Sequence, residues 1–136
     1  MLFVLDSNEY LFALGVPPRP ASQKLLDRLI ETHPTHQIPI PRLIIEEVRR
    51  HLSSEAFCEL LSAIRLLTSI DEDFVVPFEL GAKYEVQGLK PADAFIAAYA
   101  EWVGVHALVT ENRHFLTRHI GLPFRVLTAE QCLKLL

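Results

Sequence analysis

Three acidic residues stand where a solvated surface charge is not the obvious explanation: Asp6, Glu47 and Asp93. The segment 92–103 reads Ala-Asp-Ala-Phe-Ile-Ala-Ala-Tyr-Ala-Glu-Trp-Val, and a helix so apolar all round is normally packed on every side. An unpaired carboxylate there is costly or raises its own pKa, so Asp93 needs a cation, a set of donors or a function. The plain alternative is that it complements the helix dipole one turn after Pro91. Asp6 directly follows the apolar run Leu2-Phe3-Val4-Leu5, and the carboxyl edge of a parallel sheet is where ligands of such folds bind. Its plain alternative is a helix N-cap. In the helix over 41–52, setting Leu43 at 0° places Ile44, Val48, Leu52 and Ile45 between about 100° and 200°. Glu47 falls at about 40°, beside that stripe, and Glu46 at about 300°, away from it. Glu47 is therefore the inward-facing glutamate, and Glu46 is read as a solvated charge pairing with Arg50 and other neighbours. Thr110-Glu111-Asn112 follows another apolar run and reaches the same sheet edge as Asp6. Three acids converging there repel one another unless a divalent cation neutralises them, and oxygen-only donors select hard ions such as Mg²⁺ or Mn²⁺.

The elements that must deliver these groups alternate between strand and helix. Strands are expected at 2–5, 37–40, 106–109 and 124–127, with Pro39 a weakness in the second and 74–76 a further extended piece. Helices are expected at 7–15, from Ser22 through Ile30, at 41–52, 54–68, 77–87 and 92–103, and after Thr128. Prolines 17, 18 and 20 end the first, and Pro91 opens the helix carrying Asp93 from its favoured first-turn position. Strands separated by helices imply an α/β fold with a parallel sheet covered on both faces.

Composition narrows the function classes. A chain of 136 residues, half of them hydrophobic and 22% charged, suits one domain spanning 1–136 with a single core. Thirteen Lys and Arg against seventeen Asp and Glu leave a charge of -4, so a nucleic-acid substrate needs a local basic patch or bridging cations. Cys58 and Cys132 form no CxxC pair and no signal peptide is evident, which implies a reducing cytoplasm. No apolar run approaches the ~20 residues that span a bilayer. The six histidines include no i, i+4 pair for zinc, and there is no GxGxxG after a strand, no Walker loop and no Gly-x-Ser-x-Gly elbow.

Phe3-Val4-Leu5-Asp6-Ser7-Asn8 resembles the opening of the PIN-domain ribonucleases, particularly the VapC-type toxins of bacterial toxin–antitoxin pairs. Glu47-Val48 with Leu52 resembles the family's second acidic position, Lys90-Pro91-Ala92-Asp93-Ala94 through Ala100 its Asp-Ala helix, and 108–116 the block ending its third strand. The resemblance implies a three-layer α/β/α PIN-like fold whose central parallel sheet has four or five short strands. It implies a Mg²⁺- or Mn²⁺-dependent endoribonuclease with Asp6, Glu47, Asp93 and Asn112 as catalytic positions. Asp6, Asp93, Glu47 and Glu111 are the implied metal ligands, Asn8 and Thr110 orienting groups, and Arg49, Arg50, Arg113 and Arg118 contacts to the RNA backbone. Asn112 departs from the family by standing where a fourth acid is usual. It offers a carbonyl oxygen and no charge, so either Glu111 substitutes or the site holds fewer or weaker ions.

Partners follow from the same resemblance: an RNA substrate, a cognate antitoxin whose tail places a cation near Asp6 and Asp93, and a second copy in a homodimer. Helices 7–15 and 54–68, both rich in apolar residues, are the candidate docking surfaces, the alternative being that they pack in the core. Two other functions stay open: a catalytically idle PIN-like binding module, favoured by Asn112, and a housekeeping nuclease without an antitoxin.

Overall fold

Phe3-Val4-Leu5 is buried at every position, as a strand covered on both faces must be, and forms β1 (Phe3–Leu5). The structure, a computed structural model, describes residues 1–15, 17–117 and 121–136. β1 pairs in parallel with β4 (Ala107–Val109), which pairs in parallel with β5 (Arg125–Leu127). Leu5 lies opposite Val109 and Val109 opposite Leu127, so all three strands end at one edge. A smaller parallel sheet joins β2 (Ile40–Pro41) to β3 (Ile70–Asp71). The segment before β2 reaches the larger sheet through a bridge between Leu2 and Gln37, with Phe3 N–H donating to Gln37 O at 2.8 Å.

The five strands of the α/β fold are thus divided three and two. Pro39 and Pro41 leave the second strand only two residues long, and the expected extended piece at 74–76 is instead a 3-10 turn over Asp73–Val75. Helices α1 (Ser7–Leu14), α2 (Pro20–Glu31) and α8 (Ala129–Leu133) pack together, α5 (Phe78–Val86) packs on α6 (Pro91–Val103), and α6 also meets β4. α3 (Arg42–His51) joins α1 to α4 (Ser54–Leu67), and a helix not expected from the sequence, α7 (Arg113–Thr117), follows β4. No helix among the described residues is long and apolar enough to cross a membrane.

α6 positions Asp93. Pro91 starts it, and Gly104 ends it at φ 77°, a left-handed turn that favours glycine. Ala94, Ile96, Ala97, Ala98, Tyr99 and Ala100 are all buried, the alanines letting backbones approach closely. Its few polar groups are tied to neighbours: Tyr99 O–H donates to Asp71 at 2.5 Å, and Glu101 accepts from Lys83 and from Tyr84 O–H at 2.7 Å each. Ala98 is 0% exposed, so Ala98→Leu overpacks this seam and is expected to cost about 1–3 kcal/mol in urea unfolding. An unchanged midpoint would show the helix less tightly packed than described.

α1 packs one side on the core and leaves the other half-covered: Tyr10 and Ala13 are buried, Leu11, Phe12 and Leu14 are half-buried, and the Arg19 guanidinium covers the Phe12 ring at 3.5 Å. α4 buries Leu60 and Ile64 and exposes Leu66. Phe74 and Phe78, each 83% exposed around the 3-10 turn, form an apolar patch that helical periodicity did not reveal.

Candidate active site

Asp6 is the helix N-cap weighed for it, and it stands at the sheet edge where the other reading placed it. As N-cap of α1 its Oδ1 accepts Ser7 N–H at 2.8 Å, and its Oδ2 accepts the Thr110 hydroxyl at 2.9 Å from the end of β4. The two neighbouring strand ends are thereby tied together at the carboxyl edge. Asp6 is 4% exposed. Burial raises its pKa, the Thr110 and Ser7 bonds pull it back, and the charges of Asp93 and Glu47 raise it further.

A cavity of about 320 Å³ opens above this edge. Asp6, Ser7 and Asn8 line it from the start of α1, Glu47, Arg50 and His51 from α3, Asp93 from α6, and Asn112 from beyond β4. Four separate elements thus bring together the four positions Asp6, Glu47, Asp93 and Asn112. Glu47 Oε2 accepts the Ser7 hydroxyl at 2.7 Å, which faces it inward, while Glu46 is held outside by Arg49 at 2.6 Å. Burial raises the pKa of Asp93, and Glu47 raises it further, whereas Lys90, His114 and a hydrogen bond from Asn112 lower it.

Asn112 is used differently from the carbonyl donor expected of it. Its Oδ1 accepts His114 N–H at 3.0 Å at the start of α7, leaving the amide N–H₂ to donate to Asp93. Thr110, 0% exposed, accepts Asn112 N–H at 3.0 Å while donating to Asp6, so it orients both.

Glu111 does not line the cavity, which corrects its expected place as a ligand. Its Oε1 accepts Ala129 N–H at 3.0 Å at the N-terminus of α8, and it stands against buried Glu9. The physical reason is a competing donor: past the end of β4, Thr110 bonds Asp6 and Asn112 lines the cavity, while the Glu111 carboxylate is taken by an N–H at the start of α8. Glu9 Oε2 accepts the Ser22 hydroxyl at 2.8 Å, while Oε1 is buried without a donor. Burial pushes Glu9 up to about 8; the Ser22 bond opposes this, and the charge of Glu111 and a hydrogen bond to it add to it. In its protonated form Glu9 supplies the proton that two adjacent carboxylates lack.

The arginines separate. Arg50 lines the cavity, with Nε donating to Glu46 O at 3.3 Å. Arg49 is turned to Glu46, Arg113 opens α7 and is not among the lining residues, and Arg118 falls outside the described residues. Two polar lining residues escaped the sequence reading. Ser7 adjoins Asp6, and His51 follows Glu47 at i+4 on the same helix face, a mixed pair not sought when only paired histidines were considered. The His51 Nδ1–H donates to Glu47 O at 2.9 Å.

No group of three or more His, Cys, Asp or Glu side chains among the described residues forms a preassembled ion site. The donor chemistry still suits a hard divalent cation: carboxylate oxygens from three elements whose mutual repulsion a cation would relieve. Of the three, Glu47 is oriented by the Ser7 hydroxyl, which occupies its Oε2.

No protein-family model and no curated protein matches the chain. Solved structures do. VapBC2 from Rickettsia felis, bound to a DNA fragment from its promoter, aligns with TM-score 0.63 at 20% identity, covering 93% of this chain and 97% of that one. FitAcB from Neisseria gonorrhoeae aligns with TM-score 0.63 at 17% identity, covering 93% and 97%. FitAB bound to an IR36 DNA fragment gives 0.63 and 17%, covering 94% and 95%. The chain shares their fold over nearly its whole length.

Proposed function

We propose that the chain is a divalent-metal-dependent endoribonuclease and the toxin of a toxin–antitoxin pair. The observation that carries the chemistry is the gathering of Asp6, Glu47 and Asp93 from three elements in one cavity, with Asp6 and Asp93 each pushed up by burial first and then by neighbouring acids. The toxin assignment is supported by the fold shared with the VapBC and FitAB toxin–antitoxin complexes. A cytoplasmic location, a cognate antitoxin and a homodimer belong to the same proposal.

Asp6, Asp93 and Glu47 would hold Mg²⁺ or Mn²⁺, with the Ser7 hydroxyl orienting Glu47. When bound, such an ion supplies Lewis-acid polarisation of the phosphodiester and a more acidic attacking water. The chain's own groups prepare the site for it. The Ser7 N–H and the Thr110 hydroxyl hold both oxygens of Asp6, and the Asn112 amide steadies Asp93. Glu111 is left out of this set because it serves α8.

The test is cleavage of single-stranded and structured RNA by purified chain with Mn²⁺ or Mg²⁺, abolished by EDTA. Intact RNA across that panel would favour the idle module. Thermal unfolding gives an independent measure, because ligand at about 100 times Kd stabilises by about 2.7 kcal/mol. For a chain of this size that corresponds to a rise of roughly 10 °C in midpoint. An equal rise in Asp93→Asn would place the ion elsewhere.

A further inference from the structure

Away from the cavity, a chain of buried polar contacts runs through Glu9, which is 1% exposed. Its carboxyl group meets Ser22 of α2 and Glu111 of the segment after β4. Oε2 accepts the Ser22 hydroxyl at 2.8 Å, whereas Oε1 is buried without a donor. Two ionised carboxylates in contact there would repel, and the other groups that interact electrostatically with Glu9 are Asp6, Tyr10 and the Cys132 thiol, none of them a cation. The three salt bridges found among the described residues involve neither glutamate. A proton on Oε1 resolves both difficulties, because the oxygen that lacks a donor then becomes one and Glu111 accepts from it.

Glu111 stands where the chain has just left the sheet. The ladder bond from Thr110 N–H to Leu127 O, 2.9 Å long, precedes it, and α7 starts only at Arg113. Between them, Asn112 is fixed by Thr110 Oγ1 and by His114 N–H, and Glu111 by Ala129 N–H at 3.0 Å and by Glu9. We propose that Glu9 is a positioning residue for the candidate site: its carboxyl proton bonds Glu111 and sets the segment 110–112, from which Thr110 holds Asp6 and Asn112 holds Asp93. This rests on the nuclease reading above and adds to it a buried residue that touches none of the reacting groups. Ser22, Glu9, Glu111 and Ala129 thereby tie α2, α1 and α8 to the strand end that orients both aspartates.

The experiment is amide hydrogen exchange of the full, metal-free chain at pH 6 in wild type, Glu9→Gln and Glu9→Met. Glutamine keeps a donor for Glu111 and an acceptor for Ser22, whereas methionine keeps the length and lacks the donor. Exchange at Asn112 and Ala129 is compared with exchange at Leu108, in the central strand, which opens with the whole sheet. In Glu9→Met, Asn112 and Ala129 are expected to exchange about 10- to 100-fold faster relative to Leu108, the worth of one buried hydrogen bond to a charged acceptor. Glu9→Gln is expected to match the wild type. Equal acceleration at all three amides would make Glu9 a general stabiliser and overturn the proposal, as would unchanged exchange in Glu9→Met or a glutamine variant that behaves like it. If Glu9→Met does not fold, Ser22→Ala, which frees Glu9 to turn away from Glu111, gives the answer. An acceleration of about three- to tenfold confined to Asn112 and Ala129 supports the proposal, and none overturns it. RNA cleavage is read in parallel, with kcat expected to fall about 10- to 100-fold in Glu9→Met and to be kept in Glu9→Gln. A wild type that cleaves nothing defeats the nuclease reading while exchange still decides the positioning. A wild type that cleaves, with a Glu9→Met variant of equal kcat, overturns the positioning alone.

Discussion

Asp93→Asn, which keeps the shape of the side chain and removes its charge, abolishes divalent-dependent RNA hydrolysis while leaving the chain folded. The expected loss is at least about 100-fold, since removing even an outer partner of a metal ligand commonly costs 10–100-fold. Folding survives because Asp93 caps nothing: the N-cap of α6 is Lys90, and the helix is held by its buried alanines and Tyr99. Burial and Glu47 already disfavour the Asp93 charge, so the amide leaves unliganded stability unchanged or higher. Asp6→Asn is expected to lose hydrolysis to a similar extent, with Asn retaining an oxygen for the α1 cap. Cleavage rates and urea unfolding measured on the same preparations decide the matter. Activity surviving in both variants points to a contaminating nuclease, and a folded wild type without activity leaves the idle module.

Glu9→Gln raises stability in alkaline solution and leaves it nearly unchanged in acid. Folding pushes this carboxyl from 4.5 up to about 8 through burial first, opposed by Ser22, and then through Glu111. Between those values the folded chain holds a proton that the unfolded chain has released, so stability falls as pH rises through the window and levels off above it. The size of the effect is on the order of a few kcal/mol. The glutamine amide can donate to Glu111 and accept from Ser22, as protonated Glu9 does. Urea unfolding at pH 6 and pH 9 should show the wild type losing stability relative to the variant. Parallel behaviour at both values would mean that Glu9 and Glu111 do not share a proton.

How far the sequence disclosed this arrangement depended on the length of each signal. α6 was legible because thirteen nearly all-apolar residues admit few readings, and Asp93 stood out against them. Glu47 was separable from Glu46 because α3 is long enough for helical phase to be computed, and the Ser7 and Arg49 contacts bear out the two directions. The second strand was legible in part, the expected 37–40 meeting the bridge at Gln37 and β2 at Ile40, whereas β3 was not, since two residues carry no period. Glu111 was misplaced because the N–H at the start of α8 that claims its carboxylate comes from a segment that only the fold brings near it. The closeness of Lys90 to the site was not legible, because the residues that line a cavity with it, Asp93, Asn112 and His114, come from two segments that only the fold brings together.

The double duty of Asp6 bears on how inactive relatives are to be told from active ones. A chain that had abandoned hydrolysis would still need an acceptor there to start α1 and to tie β1 to β4 through Thr110, so an aspartate after the first strand testifies to folding. Asp93 is not the cap of its helix and takes its hydrogen bond from the amide of another cavity residue, so beyond the favourable dipole in the first turn of α6 the fold asks little of it. Loss of the second aspartate alone is therefore the mark by which a retired member of this architecture would be recognised.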